Sequence, residues 1–293
     1  MNAVQVSAAR ADEYSRLLID AGLLVNADDA DVALADPHRF ADLDFSRVGW
    51  VQSTWAGVDS VPWHLVPSGV VVTALPGVFG AQMSEFVFGH LLARTQRIPQ
   101  RYATRHWDET LPALLSGSTL GILGAGSIGA SIAETARQFG MSVRGCRRTG
   151  AEDPRYDAMF PIDRVAEFAD RLDHLVAVLP ATDDTVGLID GGLLGRLRPG
   201  ATFINIGRGV TAVTDEVIES VRSGAVGLAI LDVTDPEPLP SDHPAWETPG
   251  VVITGHTAAH SRPADVVGFF LDNLARYRQG AALHGVVDRK RGY

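Results

Sequence analysis

The 293 residues of this chain suffice for two domains of ordinary size, and a content of 46% hydrophobic and 20% charged residues indicates a globular protein. The 25 basic and 35 acidic side chains leave a formal charge of −10, which argues against a general nucleic-acid or anionic-membrane surface. Cys146 is the only cysteine, so an internal disulfide is excluded. With no signal-like start and no apolar run of membrane-spanning length, the composition predicts a soluble cytoplasmic protein.

The first ninety residues alternate short apolar runs with helical patterns, and this alternation predicts an α/β unit with a parallel sheet. Strands are expected at residues 4–8, 32–35, 48–53 and 70–74, and helices at 12–21 and 59–66. A helical pattern over 81–105 follows. It is interpreted as a connection between domains, the alternative being one more helix of the first domain.

A second α/β unit begins at Ser118 and has the alternation of a doubly wound sheet. Its strands are expected at residues 119–123, 142–146, 175–179, 202–206, 227–231 and 251–254. The tail over 263–279 has apolar residues at helical spacing, which predicts one amphipathic helix.

A glycine-rich turn lies between the first of these strands and the helical run that follows it. Gly124, Gly126 and Gly129 fill the pattern G-x-G-x-x-G, in which the backbone approaches a pyrophosphate and the helix packs closely on the strand. The helix N-terminus, at Ser127 and Ile128, offers N–H groups and partial positive charge to the phosphates. A dinucleotide site is therefore expected, and a glycine-rich turn without a ligand is the alternative.

Three ionisable residues each follow a predicted strand of the second unit: Arg208, Glu237 and His256. Because the carboxyl ends of parallel strands line one crevice, the three side chains are expected to face one ligand. The guanidinium suits a carboxylate and a neighbouring carbonyl, and the imidazolium suits proton donation to an oxygen that receives a hydride at its carbon. The carboxylate would hold the imidazole in one tautomer.

These motifs occur in one order: Gly-Ala-Gly-Ser-Ile-Gly, Asn-Ile-Gly-Arg-Gly, Leu-Asp-Val-x-x-x-Glu-Pro-Leu-Pro and Thr-Gly-His. In that order the chain resembles the D-isomer-specific 2-hydroxyacid dehydrogenases over nearly its whole length. By this resemblance Arg208 would bind the substrate carboxylate and carbonyl, and His256 would be the acid/base with Glu237 as its partner. The segments 52–59 and 79–85 are most similar to the glyoxylate/hydroxypyruvate reductase branch.

The resemblance also implies a domain organisation. A Rossmann-type doubly wound NAD(P)-binding domain, residues 94–260, would be inserted into a smaller flavodoxin-like α/β substrate domain made of residues 1–93 and 261–293. A homodimer is implied as well. In the substrate domain Trp55, Ala56 and Gly57 match the family's carboxylate-binding turn. Trp55 would wall a small pocket, or would simply be a half-buried aromatic side chain.

The chain departs from the family at the histidine motif and at the cofactor ribose. Gly255 stands where the family has a proline, and His260 is an alternative acid close in sequence. Where an NAD enzyme carries an acidic residue after the second strand, this chain has Arg147, Arg148 and Thr149. The arginines predict binding of a 2′-phosphate, so NADP(H) is preferred and NAD(H) remains possible. Alternatively, either arginine stacks on the adenine or faces solvent.

The remaining expected cofactor contacts follow the third, fourth and fifth strands: Leu179, Pro180, Thr185, Ile206, Gly207 and Asp232. Asp232 would lie near the nicotinamide amide, or would be a turn aspartate. The histidines lack metal-ligand spacing, so no metal is predicted. Reduction of a small 2-oxo acid is the expected reaction. The alternatives are a lactate- or phosphoglycerate-type NAD-dependent dehydrogenase and a dinucleotide-sensing scaffold for protein partners.

Overall fold

The computed structural model describes residues 3–292, and the chain divides into two compact units. One unit is formed by Met1–Phe79 with His260–Tyr293, and the other by Gly80–Ala259. The helix that follows residue 79 thus groups with the second unit. The functional boundary expected at residue 93 stays a prediction.

The first unit is built on a five-stranded parallel sheet. Its strands are β1 (Ala3–Ser7), β2 (Leu24–Val25), β3 (Val32–Ala35), β4 (Trp50–Ser53) and β5 (Val71–Thr73), with helix α1 (Ala11–Asp20) after β1. The strand order β2-β1-β3-β4-β5 is that of flavodoxin-like sheets. The expected flavodoxin-like α/β architecture is confirmed.

The second unit contains a seven-stranded parallel sheet. Its strands are β6 (Thr119–Leu123), β7 (Ser142–Arg147), β8 (Ala158–Pro161), β9 (His174–Ala177), β10 (Ala201–Asn205), β11 (Val226–Leu231) and β12 (Val251–Ile253). The helices are α2 (Gly80–Thr95), α3 (Ile98–Ala103), α4 (Ser127–Gln138), α5 (Val165–Ala169), α6 (Gly191–Leu194) and α7 (Thr214–Arg222). The order β12-β11-β10-β9-β6-β7-β8 places the topological switch between β6 and β9, where doubly wound sheets bind their ligands.

A C-terminal helix, α8 (Pro263–Arg278), completes the first unit. Its Phe270 stacks on the fully buried Trp50 of β4, with ring centroids 5.1 Å apart. The fully buried Asn273 donates to the Gln52 side chain and exchanges two hydrogen bonds with the His284 backbone. Both contacts hold α8 and the segment after it against β4. The hydrogen bonds of Asn273 matter because a buried amide without partners would be costly.

Two predicted helices are wrong in whole or in part. Residues 59–66 form turns, since Pro62 lacks the N–H that a helix interior needs. The helix expected over 81–105 ends at Thr95, and α3 begins at Ile98 after Arg97, whose φ of 55° is left-handed. Strands β2 and β8 were not predicted. No helix among residues 3–292 has the length and apolar character needed to cross a bilayer.

Candidate active site

The glycine-rich turn joins β6 to α4, at the switch point of the second sheet. A Cβ on Gly129 would lie 2.6 Å from the Gly124 carbonyl oxygen, so only glycine allows this approach of helix to strand. At Gly126 a Cβ would meet no atom within 4 Å, and the space beside the turn is open. The backbone N–H groups of Ser127, Ile128 and Gly129 donate to no oxygen among residues 3–292. The turn therefore presents unused donors to an open space, as phosphate binding requires.

The arginines after β7 differ in their surroundings. Arg147 is held by the protein: its Nη2 donates to the carbonyls of Ala151 and Glu152, and its Nη1 lies 3.9 Å from Asp153. Arg148 is exposed and has no ion-pair or hydrogen-bond partner in the part of the chain that the structure describes. Thr149, also exposed, forms a β-bridge to Pro161. Arg148 is thus the arginine whose guanidinium is available to a ligand.

Two buried polar atoms near the end of β7 lack a partner. The Nε of Arg147 and the hydroxyl of Tyr156 make no hydrogen bond with any described residue. The Tyr156 oxygen would be only 3.3 Å from a Cβ on Gly129, so it lies beside the glycine turn. Burial raises the pKa of Tyr156, which keeps the phenol a neutral donor. Open turn, unused donors and orphaned polar atoms together fit a bound dinucleotide.

The loop that carries Arg208 is shaped by Asn205, the last residue of β10. The buried Asn205 side chain accepts from the Gly207 N–H and donates to the Arg208 carbonyl, both at 3.1 Å. A Cβ on Gly209 would lie 1.9 Å from the Thr234 carbonyl oxygen, so this loop packs directly against the segment that leads to Glu237. Arg208 is half-buried, with Nη1 donating to the Gly207 carbonyl at 2.8 Å.

His256 and Glu237 are in direct contact. The His256 Nδ1 lies 2.6 Å from the Glu237 Oε1, and the two side chains are 47% and 41% exposed. An ionised carboxylate can only accept, so Nδ1 carries the proton and Nε2 is left for a substrate. The pair has the geometry of an imidazole oriented by a carboxylate. His260, the alternative acid, groups with the first unit instead.

The buried Asp232 fixes the backbone around His256. Its Oδ1 accepts from the Thr254 hydroxyl (2.6 Å) and the Thr257 N–H (2.8 Å), and its Oδ2 accepts from the Ala258 N–H (3.0 Å). Its carbonyl accepts from the His256 N–H at 2.6 Å. Gly255 and His256 both have positive φ, 71° and 58°, and a proline at position 255 could not adopt this conformation. Asp232 is therefore a loop-holding residue as well as an expected cofactor contact.

The other expected cofactor contacts lie around the same strand ends. Thr185 is buried, and its hydroxyl donates to the Pro180 carbonyl at 2.6 Å, which closes the loop after β9. Leu179 and Ile206 are buried, and a Cβ on Gly207 would lie 2.6 Å from the Leu179 oxygen. The loops that follow β9 and β10 are therefore packed directly against each other.

In the first unit, the turn after β4 is organised by Ser53. Its Oγ accepts from the Trp55 N–H and lies 3.0 Å from the Trp55 carbonyl, so that N–H is already used. The N–H groups of Ala56 and Gly57 have no acceptor among the described residues and are open to a carboxylate. The Trp55 ring is 39% exposed and lies 5.3 Å from that of His38.

Sequence reasoning missed three residues that shape these loops: Asn205, Ser53 and Tyr156. Asn205 ends a strand of a parallel sheet, a position whose polar side chains reach the ligand edge, so its placement was a usable signal. The roles of Ser53 and Tyr156 depend on loop geometry. Among residues 3–292 no group of three or more His, Cys, Asp or Glu side chains is placed to hold a metal.

Comparison with known proteins gives one family. The family model described as D-isomer specific 2-hydroxyacid dehydrogenase, NAD binding domain, matches residues 88–258. A D-isomer specific 2-hydroxyacid dehydrogenase family protein from Aeromonas salmonicida is similar at 35% identity and a TM-score of 0.87, covering 98% of this chain and 99% of that one.

Two further solved structures are similar over the whole chain. One is the NADPH-dependent glyoxylate/hydroxypyruvate reductase of Sinorhizobium meliloti in complex with NADP and sulfate, with 26% identity, a TM-score of 0.86 and full coverage of both chains (100% each). The other is a D-isomer specific 2-hydroxyacid dehydrogenase of Xanthobacter autotrophicus in complex with NADPH and MES. It has 28% identity and a TM-score of 0.88 and covers 100% of this chain and 99% of that one.

Proposed function

This chain belongs to the D-isomer specific 2-hydroxyacid dehydrogenases, a family of NAD(P)-dependent oxidoreductases, and from that membership we propose its reaction. It reduces a small 2-oxo acid, of the size of glyoxylate or hydroxypyruvate, to the D-2-hydroxy acid with NADPH. The single observation that carries this proposal is the 2.6 Å contact of His256 with Glu237, in the same unit as the glycine turn.

The proposed division of labour follows the side chains. When bound, the reduced nicotinamide supplies a hydride to the carbonyl carbon of the substrate. The His256 Nε2 gives its proton to the carbonyl oxygen, and Glu237 stabilises the imidazolium and its orientation. Arg208 binds the substrate carboxylate and polarises the carbonyl. Each of these groups acts from the end of a strand or from the loop that follows it.

The first unit is proposed to supply substrate recognition. The open N–H groups of Ala56 and Gly57 would bind the carboxylate, and Trp55 would limit the length of the acid.

NADP(H) is the proposed cofactor because Arg148 is exposed and available, and the family's usual acidic residue is absent there. The relatives from S. meliloti and X. autotrophicus were crystallised with NADP or NADPH, which supports the same choice. The proposed contacts are the turn at Gly124, Gly126 and Gly129, the N-terminus of α4 and Arg148. Arg147 would contribute indirectly, by holding the loop after β7 through the Ala151 and Glu152 carbonyls.

A homodimer is proposed for the assembled enzyme. Four large apolar side chains of the segment 102–114 are 70–87% exposed: Tyr102, Trp107, Leu111 and Leu114. An exposed apolar group of this size is typical of a protein interface. The proposed compartment is the cytoplasm, in keeping with the free, buried thiol of Cys146.

The test is a panel of 2-oxo acids with NADPH and with NADH. Loss of NADPH absorbance with glyoxylate or hydroxypyruvate, and slower turnover of longer acids, are expected. Faster turnover with NADH would favour the lactate- or phosphoglycerate-type alternative. Absence of turnover with every acid, in protein that still binds NADPH, would favour the dinucleotide-sensing scaffold.

A further inference from the structure

A cavity of about 390 Å³ opens at the edge of the second sheet opposite the catalytic groups. It is lined by the end of α2 and by residues at or just before the amino ends of β6, β9 and β10. Leu111, Ala113 and Leu114, from the segment proposed for the dimer interface, complete the lining. Asn205 is the last residue of β10 and His256 follows the carboxyl end of β12, so both lie at the other end of the strands. The two edges are separated by the length of a five-residue strand, about 16 Å. Cavities of this volume are in the range of small-molecule sites.

Arg94, in the last turn of α2, brings a positive charge into this cavity without a counter-charge. Its guanidinium donates to the Gly200 and Ala201 carbonyls and to the Thr202 hydroxyl, all neutral groups. It forms no ion pair with any carboxylate of the described chain, and burial lowers the pKa of Arg94 with no acidic neighbour to oppose it. Because a partly buried charge without a counter-charge is costly, an anion at this position would be stabilising.

Two further arginines line the same cavity. The Nε of Arg97 is buried without a hydrogen-bond partner, and its Nη2 is 3.8 Å from Asp108. Arg198 donates to the Arg171 carbonyl and lies 3.3 Å from Asp173, which is the one carboxylate in the cavity lining. With Asp108, which pairs with Arg97 from outside the lining, three arginines face two carboxylates, and an excess of one positive charge remains in a chain whose formal net charge is −10.

His174 supplies a neutral polar group at the same place. Its ring is 8% exposed, and Nδ1 lies 3.2 Å from the Thr202 hydroxyl, which also accepts from Arg94. Burial lowers the pKa of His174 to about 4, so the ring is uncharged at neutral pH. A neutral imidazole can donate or accept without adding repulsion among the arginines.

We propose that this cavity is a second binding site, independent of the catalytic site, for a small metabolite that bears a phosphate group. A phosphate monoester carries close to two negative charges at pH 7 and three acceptor oxygens, which suits a cavity with excess positive charge and several guanidinium donors. Arg94, Arg97 and Arg198 bind the phosphate, and the remaining volume accommodates a short carbon chain.

The test is calorimetric titration of the full chain with inorganic phosphate and with glycerol 3-phosphate, at constant ionic strength in chloride. Saturable binding is expected, tighter for glycerol 3-phosphate. Arg198→Gln, in a half-exposed side chain, should weaken it at least ~10-fold by removing a charge-assisted contact. Arg94→Gln should abolish it, and Arg94→Lys should restore part of it.

Two further variants, Arg148→Ala and Arg208→Gln, distinguish phosphate binding in this cavity from phosphate binding at the proposed cofactor and substrate residues. Both should retain the phosphate site. No saturable binding in the wild type would overturn the proposal. So would loss of binding in Arg148→Ala or Arg208→Gln together with retention in Arg198→Gln. Sedimentation of each variant checks the assembly, and an Arg198→Gln protein that changes its oligomeric state but binds phosphate normally also contradicts the site.

Discussion

The carboxylate of Asp232 accepts a 2.8 Å hydrogen bond from the backbone N–H of Thr257, one residue beyond His256. With the Ala258 N–H and the Thr254 hydroxyl as further donors, it holds a left-handed loop that no helix or strand supports. The acid/base candidate thus owes its position to a side chain on another strand end.

Asp232→Asn is expected to loosen this loop. The NH2 group of the asparagine would point at one of the backbone N–H groups that Asp232 now accepts from, so two donors would face each other. This should lower the free energy of unfolding by about 1–3 kcal/mol. The value of kcat should fall by more than the KM for NADPH rises, since the imidazole is displaced. Urea unfolding and steady-state kinetics measure both. Asp235→Asn, in an exposed neighbour, is the matched control and should leave both unchanged.

His256→Ala should lower kcat by roughly 10²–10⁴-fold, which is the usual contribution of a general acid. Glu237→Gln keeps the shape but removes the charge that accepts from Nδ1, so a smaller loss of kcat is expected. Stopped-flow reduction of glyoxylate separates these losses from product release. A near-normal kcat in His256→Ala would transfer the role to another acid, and His260→Ala then decides whether it is His260.

The strands were more predictable than the loops, for a physical reason. A fully buried parallel strand such as β3 has an unbroken apolar run, which sequence alone reveals. Strand β8 (Ala-Met-Phe-Pro) is also an apolar run, but it is short, half-buried and at the sheet edge. It ends in Pro161, a residue that argues against a central strand, so its sequence resembles that of a loop. The break before α3 occurs at the left-handed Arg97. Pro99, in the first turn of α3, is typical of a helix start and was a usable signal for this break.

The same distinction holds at the candidate site. The contact between His256 and Glu237 follows from two strand ends in a parallel sheet, so motif order was sufficient to bring them together. Arg147 and Arg148 are adjacent and alike in sequence. Their difference arises because the carbonyls of Ala151 and Glu152 fold back onto one of them. Which arginine makes such contacts depends on the conformation of the following loop, and residue types alone do not specify that conformation.

Arg148→Ala is therefore expected to be the selective cofactor variant. Loss of one charge-assisted contact to the 2′-phosphate, about 1.5–3 kcal/mol, corresponds to a rise of roughly 10- to 100-fold in the KM for NADPH. The KM for NADH should change by less than about 2-fold, because that cofactor has no 2′-phosphate. Arg164→Ala, which removes a surface arginine paired with Glu167, is the control. Equal effects on both cofactors would contradict this assignment.

Gly126→Ala should separate cofactor binding from folding. The new methyl group meets no protein atom within 4 Å, and the φ of −95° is open to alanine, so the free energy of unfolding should change by less than about 0.5 kcal/mol. It occupies the space through which the pyrophosphate approaches, and NADPH affinity should fall ~10-fold or more. Fluorescence titration and thermal unfolding measure the two quantities. Gly89→Ala, also at an open position, should bind NADPH normally; wild-type affinity in Gly126→Ala would exclude the turn as the phosphate site.

His174 should make the protein less stable in mild acid. Burial lowers its pKa to about 4, whereas an unfolded histidine titrates near 6.5. The unfolded chain therefore binds the proton more readily than the folded chain. The contribution of neutral His174 to the free energy of unfolding is fully present above pH ~6.5 and is lost as the pH falls towards 4, by about 2 kcal/mol between pH 7 and pH 5. The free energy of unfolding of His174→Asn should be lower than that of the wild type at pH 7, but it should fall less on acidification. His64→Asn, at an exposed histidine, is the control, and its free energy of unfolding should fall as much as that of the wild type. Urea unfolding at the two pH values tests this, and an undiminished acid loss in His174→Asn would place the responsible proton elsewhere.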